Sequence, residues 1–331
     1  MKNAIRVAVF LGALLVTVVA PARGVAGDST IDVIATTFPV HLITAVVIDG
    51  DPGVKLDLLL APSLGCPHDY VLTPADMRRA ATADVIVTNG LGLDDFIDDL
   101  VGNRKDGGPL IVDSSRGLRG IMEYTEEHHD DDGHDDHHEC EGRPGHGAHD
   151  AHGGHHHEGA NPHIFASPLM AASMALNIAR QLGAARPSMA RRYQANATAF
   201  MSRMTVLDAE FKVAVSRLKN RRIVTQHGIF DYLARDAGLE IVAVIQTHPG
   251  TEPSASEMLT LVKEIRAAGA GAVFAEPQYR LKMPAALALE AGIPMGVMDP
   301  VANGPAGAGP DYYEKTMRAN IAVLEKYLGT R

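Results

Sequence analysis

The sequence predicts an α/β protein of two similar lobes, each a mostly parallel sheet covered by helices, joined by a single long rigid helix. Three observations carry that prediction. Short apolar runs bounded by turn residues alternate with helical patterns in the first third of the chain, and the alternation restarts near residue 220. Between the halves, residues 188–219 form the longest periodic segment and contain neither Gly nor Pro. The 331 residues, 46% of them hydrophobic, suffice for two medium-sized cores.

The N-terminus reads as a secretory signal, with Lys2 and Arg6 before an apolar run over 7–20. Small residues at Gly24 and Ala26 place cleavage after Ala26, and the alternative cut follows Ala22. No cysteine lies near either cut, so a lipid anchor is not expected. No later segment has the roughly 20 consecutive apolar residues that a membrane helix needs. The first strand is expected over 31–37, followed by a helix over 39–48 and a second strand over 54–60. Residues 62–68 read as a loop. Thr73 then acts as N-cap, with Pro74 at the first helical position. A third strand over 84–88 ends at Asn89-Gly90, a helix is expected near 93–101, and a fourth strand covers 110–113. Ser167-Pro168 starts a helix running to about Leu182.

The 188–219 segment carries one apolar stripe: Tyr193, Ala197, Phe200, Met204, Leu207, Phe211, Val215 and Leu218. At 1.5 Å per residue it would span about 45–50 Å, long enough to bridge two lobes. Beyond it, strands are expected over 222–225, 240–245, 272–275 and 295–298, with helices over 228–237, 256–268, 284–291 and 312–328. The expected organisation is a signal peptide over 1–26, an N-terminal lobe over 27–187, the linking helix over 188–219 and a C-terminal lobe over 220–331.

The N-terminal lobe contains an insertion, residues 123–158, that no core can absorb. It holds eleven of the sixteen histidines: His128, His129, His134, His137, His138, His146, His149, His152, His155, His156 and His157. Twelve acids and one base, Arg143, give it a net charge of −11, against −10 for the whole chain. With almost nothing apolar to bury, it reads as a flexible surface loop. Imidazole and carboxylate at this density suit borderline metal ions, zinc above all. The acidity is local and no basic patch accompanies it, which argues against a nucleic-acid partner. Cys66 and Cys140 could pair in an exported chain, and two free thiols are the alternative.

Five histidines lie outside the insertion: His41, His68, His163, His227 and His248. His68 and His227 lie beyond the ends of expected strands, and His163 follows the fourth strand and the insertion. Ligands of open α/β sheets bind at such strand ends. Asp299 ends the last strand and Glu276 the one before it. Three imidazoles and one carboxylate could meet in the interlobe cleft, a donor set that suits four-coordinate zinc. His41 is read as structural, His248 as a loop residue, and Glu276 as a support in preference to a ligand.

Several ordered motifs then resemble a known family. They are Pro67-His68-Asp69-Tyr70 before Thr73-Pro74-Ala75-Asp76, the Ala83-to-Leu93 run with Asn89-Gly90-Leu91-Gly92, and Asn161-Pro162-His163. Gln226-His227, Pro249-Gly250-Thr251-Glu252, Phe274-Ala275-Glu276-Pro277-Gln278 and Met298-Asp299-Pro300 complete the series. Together they are similar to the substrate-binding proteins of bacterial zinc and manganese ABC importers, the cluster A-I metal-binding family, and most of all its periplasmic zinc-type members. The resemblance implies two lobes on a rigid helix, with metal between them held by His68, His163, His227 and Asp299. Histidine at 227, where manganese-type members carry a carboxylate, implies zinc. Two positions depart from the family pattern. Pro67 stands where some zinc-type members have a glutamate, which leaves Asp299 or a water as fourth ligand. Asn161 stands where aspartate is usual, which bears on the orientation of His163.

The implied function is capture of Zn²⁺ as transported ligand in the periplasm and delivery to an ABC transporter membrane permease, by a monomer and without covalent chemistry. A periplasmic zinc chaperone is a further possible partner. The alternatives are a zinc buffer or chaperone without a transporter, a manganese-type import protein, and a secreted zinc hydrolase. The last lacks HExxH and nucleophile-elbow motifs. The loop could collect zinc and pass it to the cleft, sense zinc sufficiency, or act as a solvated spacer. Since imidazoles ligate only when neutral, affinity is expected to fall towards pH 5.

Overall fold

A computed structural model describes residues 30–64, 67, 70–97, 108–123, 159–246 and 253–329. The expected signal peptide, both cysteines, the histidine-rich loop, His68 and His248 lie outside the described residues.

Two four-stranded parallel sheets form the framework. The first comprises β1 (Ile31–Ala35), β2 (Val54–Leu58), β3 (Val85–Thr88) and β4 (Leu110–Asp113), in the order β2-β1-β3-β4. The second comprises β5 (Arg222–Thr225), β6 (Glu240–Val244), β7 (Ala272–Ala275) and β8 (Met295–Val297), in the order β6-β5-β7-β8. The topologies are identical, as the restart of the alternation implied. The central strands β3 and β7 are buried at every position, which is why they read as unbroken apolar runs. In each sheet the strand order reverses between the two central strands, β1/β3 and β5/β7, and the loops leaving that crevice carry the polar residues described below.

Helices α1 (Phe38–Val47), α2 (Pro74–Thr82) and α3 (Pro168–Ala185) flank the first sheet. Their starts follow the local chemistry. Thr73 and Asp76 form a reciprocal capping box on α2, and the Ser167 hydroxyl accepts from Met170 N–H on α3. In the second lobe α5 (Asp231–Ala237), α6 (Ala255–Ala268) and α7 (Lys282–Ala291) each end on a left-handed glycine. α8 (Tyr312–Leu328) closes the chain. The helix expected near 93–101 shows, among the described residues, only a 3-10 turn at Asp95–Ile97.

The long helix α4 spans Ala190–Ser216, 27 residues and about 40 Å, shorter than the periodicity predicted. The apolar stripe does continue to Leu218, which is fully buried, but not as helix. Lys219 N–H donates to Gly329 O at 3.0 Å, and this bond to the chain end takes residue 219 out of the helix. One large hydrophobic cluster runs from Val33 and Val85 through Phe200, Leu207 and Phe211 of α4 to Phe274 and Met317, so the lobes share a core across the helix. Smaller clusters cover the outer face of each sheet. Other ties join the lobes directly. Tyr313 Oη donates to Phe165 O at 2.8 Å, Gly304 N–H donates to Pro62 O at 2.9 Å, and the Phe38 and Tyr312 rings meet edge to face. Gly304 packs on the Phe38 ring with no room for a Cβ. Among the described residues no helix is long and apolar enough to cross a membrane.

The loop after β3 turns through three successive positive-φ residues, Gly90, Leu91 and Gly92. Asp94, 4% exposed, holds it by accepting from Thr36 Oγ1 at 2.6 Å, Asn89 N–H at 2.6 Å and Gly90 N–H at 3.0 Å. Burial pushes the Asp94 carboxyl up to about 6, against the opposing pull of these donors. A raised folded-state value means that the folded chain keeps a proton that the unfolded chain releases between about pH 4 and 6. The stability contributed by this group is therefore present in acid and drains as pH rises through that window. Asp94→Asn should flatten this part of the stability-versus-pH curve. It should also lower stability at pH 7 by about 1–3 kcal/mol, since its amide nitrogen cannot accept a buried N–H. Urea titrations at pH 4.5 and 7 measure both effects.

Candidate metal centre

The C-terminal ends of β5 and β7 place His227 and Glu276 side by side. His227 is 1% exposed and Glu276 fully buried. His227 Nδ1 lies 2.5 Å from Glu276 Oε1. A carboxylate oxygen there accepts, so Nδ1 carries the hydrogen and Nε2 keeps its lone pair. Nε2 is buried and has no hydrogen-bond partner among the described residues. Glu276 is itself held, by Gln278 Nε2 at 2.5 Å on Oε2 and by its own N–H to Gln226 Oε1 at 3.2 Å. It supports the imidazole, in keeping with the supporting part expected of it.

From the other lobe, the chain leaving the acidic insertion returns as Ala160, bridged to Glu123. It runs through Asn161 and Pro162 into a 3-10 turn, His163–Ala166. Asn89 Nδ2 donates to Pro162 O at 2.9 Å and fastens this turn to the loop that Asp94 organises. His163 is fully buried, and its Nδ1 lies 2.9 Å from Asn161 Oδ1. The amide oxygen only accepts, so Nδ1 of this ring carries its hydrogen too. The two imidazoles meet edge to face with centroids 5.0 Å apart. Phe165 and Tyr279 rings flank them at 6.0 and 5.8 Å.

Of the four predicted ligands, the structure thus brings His163 and His227 together. Asp299 lies on the loop after β8, with Val301 N–H donating to its Oδ1 at 2.8 Å and its own N–H donating to Asn320 Oδ1 at 2.9 Å. Burial raises its carboxyl above the usual range, and the negative charge of Glu276 pushes the same way. Asp231, the first residue of α5, is likewise raised by burial, to about 6, while the hydrogen bond from Asn161 and the electrostatic pull of the neighbouring His227 ring oppose the shift. A dication near Asp299 and Glu276 would relieve the repulsion between those two carboxyls. Among the described residues no three His, Cys, Asp or Glu side chains gather closely enough to hold an ion on their own. His41 lies away on α1 beside Asp57, partly buried, with burial lowering its pKa.

Two further residues support the imidazoles: Asn161, whose bearing on His163 the sequence already suggests, and Tyr232, which nothing in the sequence marks. Asn161 accepts from His163 and, through its amide, reaches Gly228 and Asp231 of the other lobe. Tyr232 Oη donates to Asn161 O at 2.7 Å and accepts from Met122 N–H at 3.0 Å. The signal for the first was present. An Asn two residues before a functional His, with Pro between, is an Asx turn that accepts the His N–H.

Comparison with known proteins agrees with this architecture. A family model described as "Zinc-uptake complex component A periplasmic" (ZnuA) matches residues 33–327. The chain is 26% identical over 306 residues to "Zinc-binding protein AdcA" of Streptococcus pyogenes serotype M3, covering 92% of this chain but 57% of that protein. It thus spans little more than half the length of that relative. It is 27% identical over 273 residues to "High-affinity zinc uptake system protein ZnuA" of Bacillus subtilis, covering 82% of this chain and 79% of that one. Among solved structures, the substrate-binding protein FpvC of Pseudomonas aeruginosa, determined with Ni²⁺, superposes with a TM-score of 0.72 at 22% identity, over 91% of this chain and 97% of its own. Two parallel lobes on one helix, paired imidazoles between them and a family match running almost from end to end lead to one conclusion: the chain belongs to the ZnuA family, the periplasmic A component of zinc-uptake complexes.

Proposed function

We propose that the chain is an extracytoplasmic solute-binding protein that captures Zn²⁺ between its lobes and hands it to the membrane permease of an ABC importer, working as a monomer. One observation carries this reading above the others. Two buried imidazoles, one from each lobe, are tied at Nδ1 by dedicated acceptors, so that each directs Nε2 to ligation. His68 and Asp299 complete the proposed set. Both family relatives named above are described as zinc-binding or zinc-uptake proteins. A site closed by four protein ligands has no open position for an activated water, so it binds and releases without catalysing. His227, a nitrogen donor on a buried site, favours zinc over manganese, which prefers oxygen ligands.

The test is competitive zinc titration of the mature chain against His68→Ala, His163→Ala, His227→Ala and Asp299→Ala. Loss of one tight site in the two imidazole variants that the structure brings together is the expected result. Unchanged tight binding in all four would sink the cleft.

The histidine-rich loop is proposed as an auxiliary collector of weakly held zinc. Its two ends are already joined, by the Glu123–Ala160 bridge and by Asn161 N–H donating to Met122 O at 2.7 Å. Deletion of residues 126–158 should therefore leave the lobes folded, lower the number of zinc ions bound and preserve one tight site. Equilibrium dialysis with a zinc chelator reads both quantities, and loss of the tight site on deletion would place the main ligands in the loop instead.

A further inference from the structure

Asn161 is fully buried, and its side chain is saturated. Oδ1 accepts from His163 N–H at 3.0 Å and from His163 Nδ1 at 2.9 Å. Nδ2 donates to Gly228 O and to Asp231 Oδ2, both at 2.8 Å. Two of these partners are main-chain groups, and they settle which end of the amide is which. A backbone N–H can only donate and a backbone carbonyl can only accept. One end of a single amide thus holds the first imidazole in its tautomer and rotamer. The other end grips the carbonyl of Gly228, the residue next to the second imidazole, on the opposite lobe. The main chain of Asn161 is pinned as well, between Met122 O and Tyr232 Oη.

An aspartate could do only half of this work. Its carboxylate would serve His163 at least as well as the amide, because a charged acceptor strengthens the bond to Nδ1–H. Its second oxygen, however, would face Gly228 O and the Asp231 carboxylate, acceptor against acceptor, in a buried place. The amide is the one side chain of this shape that presents an acceptor to one lobe and a donor to the other.

We infer that Asn161 is a positioning residue that ties the lobes and sets the spacing of the two imidazoles, so that zinc leaves only when its two bonds to Gly228 and Asp231 break. This rests on the reading of His163 and His227 as ligands. The tie adds a step to release, and the proposed permease would have to break it to empty the site.

The experiment measures zinc release from the mature chain into excess chelator at pH 8, with thermal melts alongside. Asn161→Asp keeps the acceptor for His163, loses the interlobe donor and sets an oxygen against Gly228 O and Asp231, so faster release in this variant reads the loss of the tie. About tenfold faster release is expected, the scale of losing one buried hydrogen bond to a charged group. Adding Asp231→Asn to it returns a donor from the far side, and the double variant should recover most of the original rate. A purely structural role would lower the melting temperature of Asn161→Asp and leave its release rate unchanged. That result overturns the inference, as does faster release that the double variant fails to slow. Should Asn161→Asp not fold, Asp231→Ala removes one acceptor without touching the His163 turn. It should speed release about threefold, part of that same cost, and the wild-type rate there would overturn the inference. His163→Ala separates the two levels. If it keeps the tight site, the ligand reading itself falls and the inference with it. If it loses the site while Asn161→Asp behaves as wild type, only the tie is wrong.

Discussion

His227→Ala is expected to weaken zinc binding by about two orders of magnitude while leaving the fold intact. Zinc held by four protein ligands is worth roughly 10–16 kcal/mol, so one ligand carries about 3 kcal/mol, or about a hundredfold in Kd. The truncation also strands Glu276, a fully buried carboxylate left with Gln278 and without its imidazole partner. A stranded buried charge lowers the stability of the empty protein, a cost that a thermal melt reads apart from Kd. Glu276→Gln separates the contributions. The amide oxygen can still accept from His227 Nδ1–H, so the tautomer survives, but the charge that makes the imidazole a stronger donor is gone. A tenfold loss is the expected scale for such a supporting group. Competition against a chelator of known affinity reads both variants. Equal losses for His227→Ala and Glu276→Gln would mean that Glu276 is itself a ligand.

Phe200→Ala is expected to produce the largest loss of stability, about 3–5 kcal/mol. Phe200 is 1% exposed at the middle of α4, edge to face with Tyr313 at 6.1 Å and covered by the Arg203 guanidinium at 5.5 Å. Removing the ring opens a cavity where the two lobes share one core, and Tyr313 is the residue whose hydroxyl holds Phe165 beside His163. The melting temperature should fall by about 10 °C on the scale expected for a chain of this size. The same melt tests the shared core. A single cooperative transition is expected from a cluster continuous across α4, and two separate transitions, one per lobe, would contradict it.

Much of the architecture is legible in the sequence. The eight strands lie within one or two residues of where the sequence puts them: β3 and β7, buried at every position, are unbroken apolar runs, and the edge strands are short segments bounded by turn residues. The caps at Thr73 and Ser167 were legible for a local reason: a hydroxyl or carboxylate a few residues away satisfies an orphan helix N–H. The α4 stripe was correct residue by residue, yet the helix stops at Ser216. Periodicity reports which side chains are buried. It does not report that Lys219 N–H gives its bond to Gly329, more than a hundred residues away.

The same division holds at the site. By itself the sequence determined the two-lobed α/β plan, the spine and the place of His227 just past β5, since each depends on patterns within a few residues of one another. Only the tertiary structure decided how far apart the His163 and His227 rings stand and which acceptor each Nδ1 meets. Glu276 reaches His227 across 49 residues, and Asn161 reaches Gly228 and Asp231 across 67 and 70. A hydrogen bond needs two groups within about 3 Å and aligned, and no local pattern encodes a meeting between residues so distant in the chain.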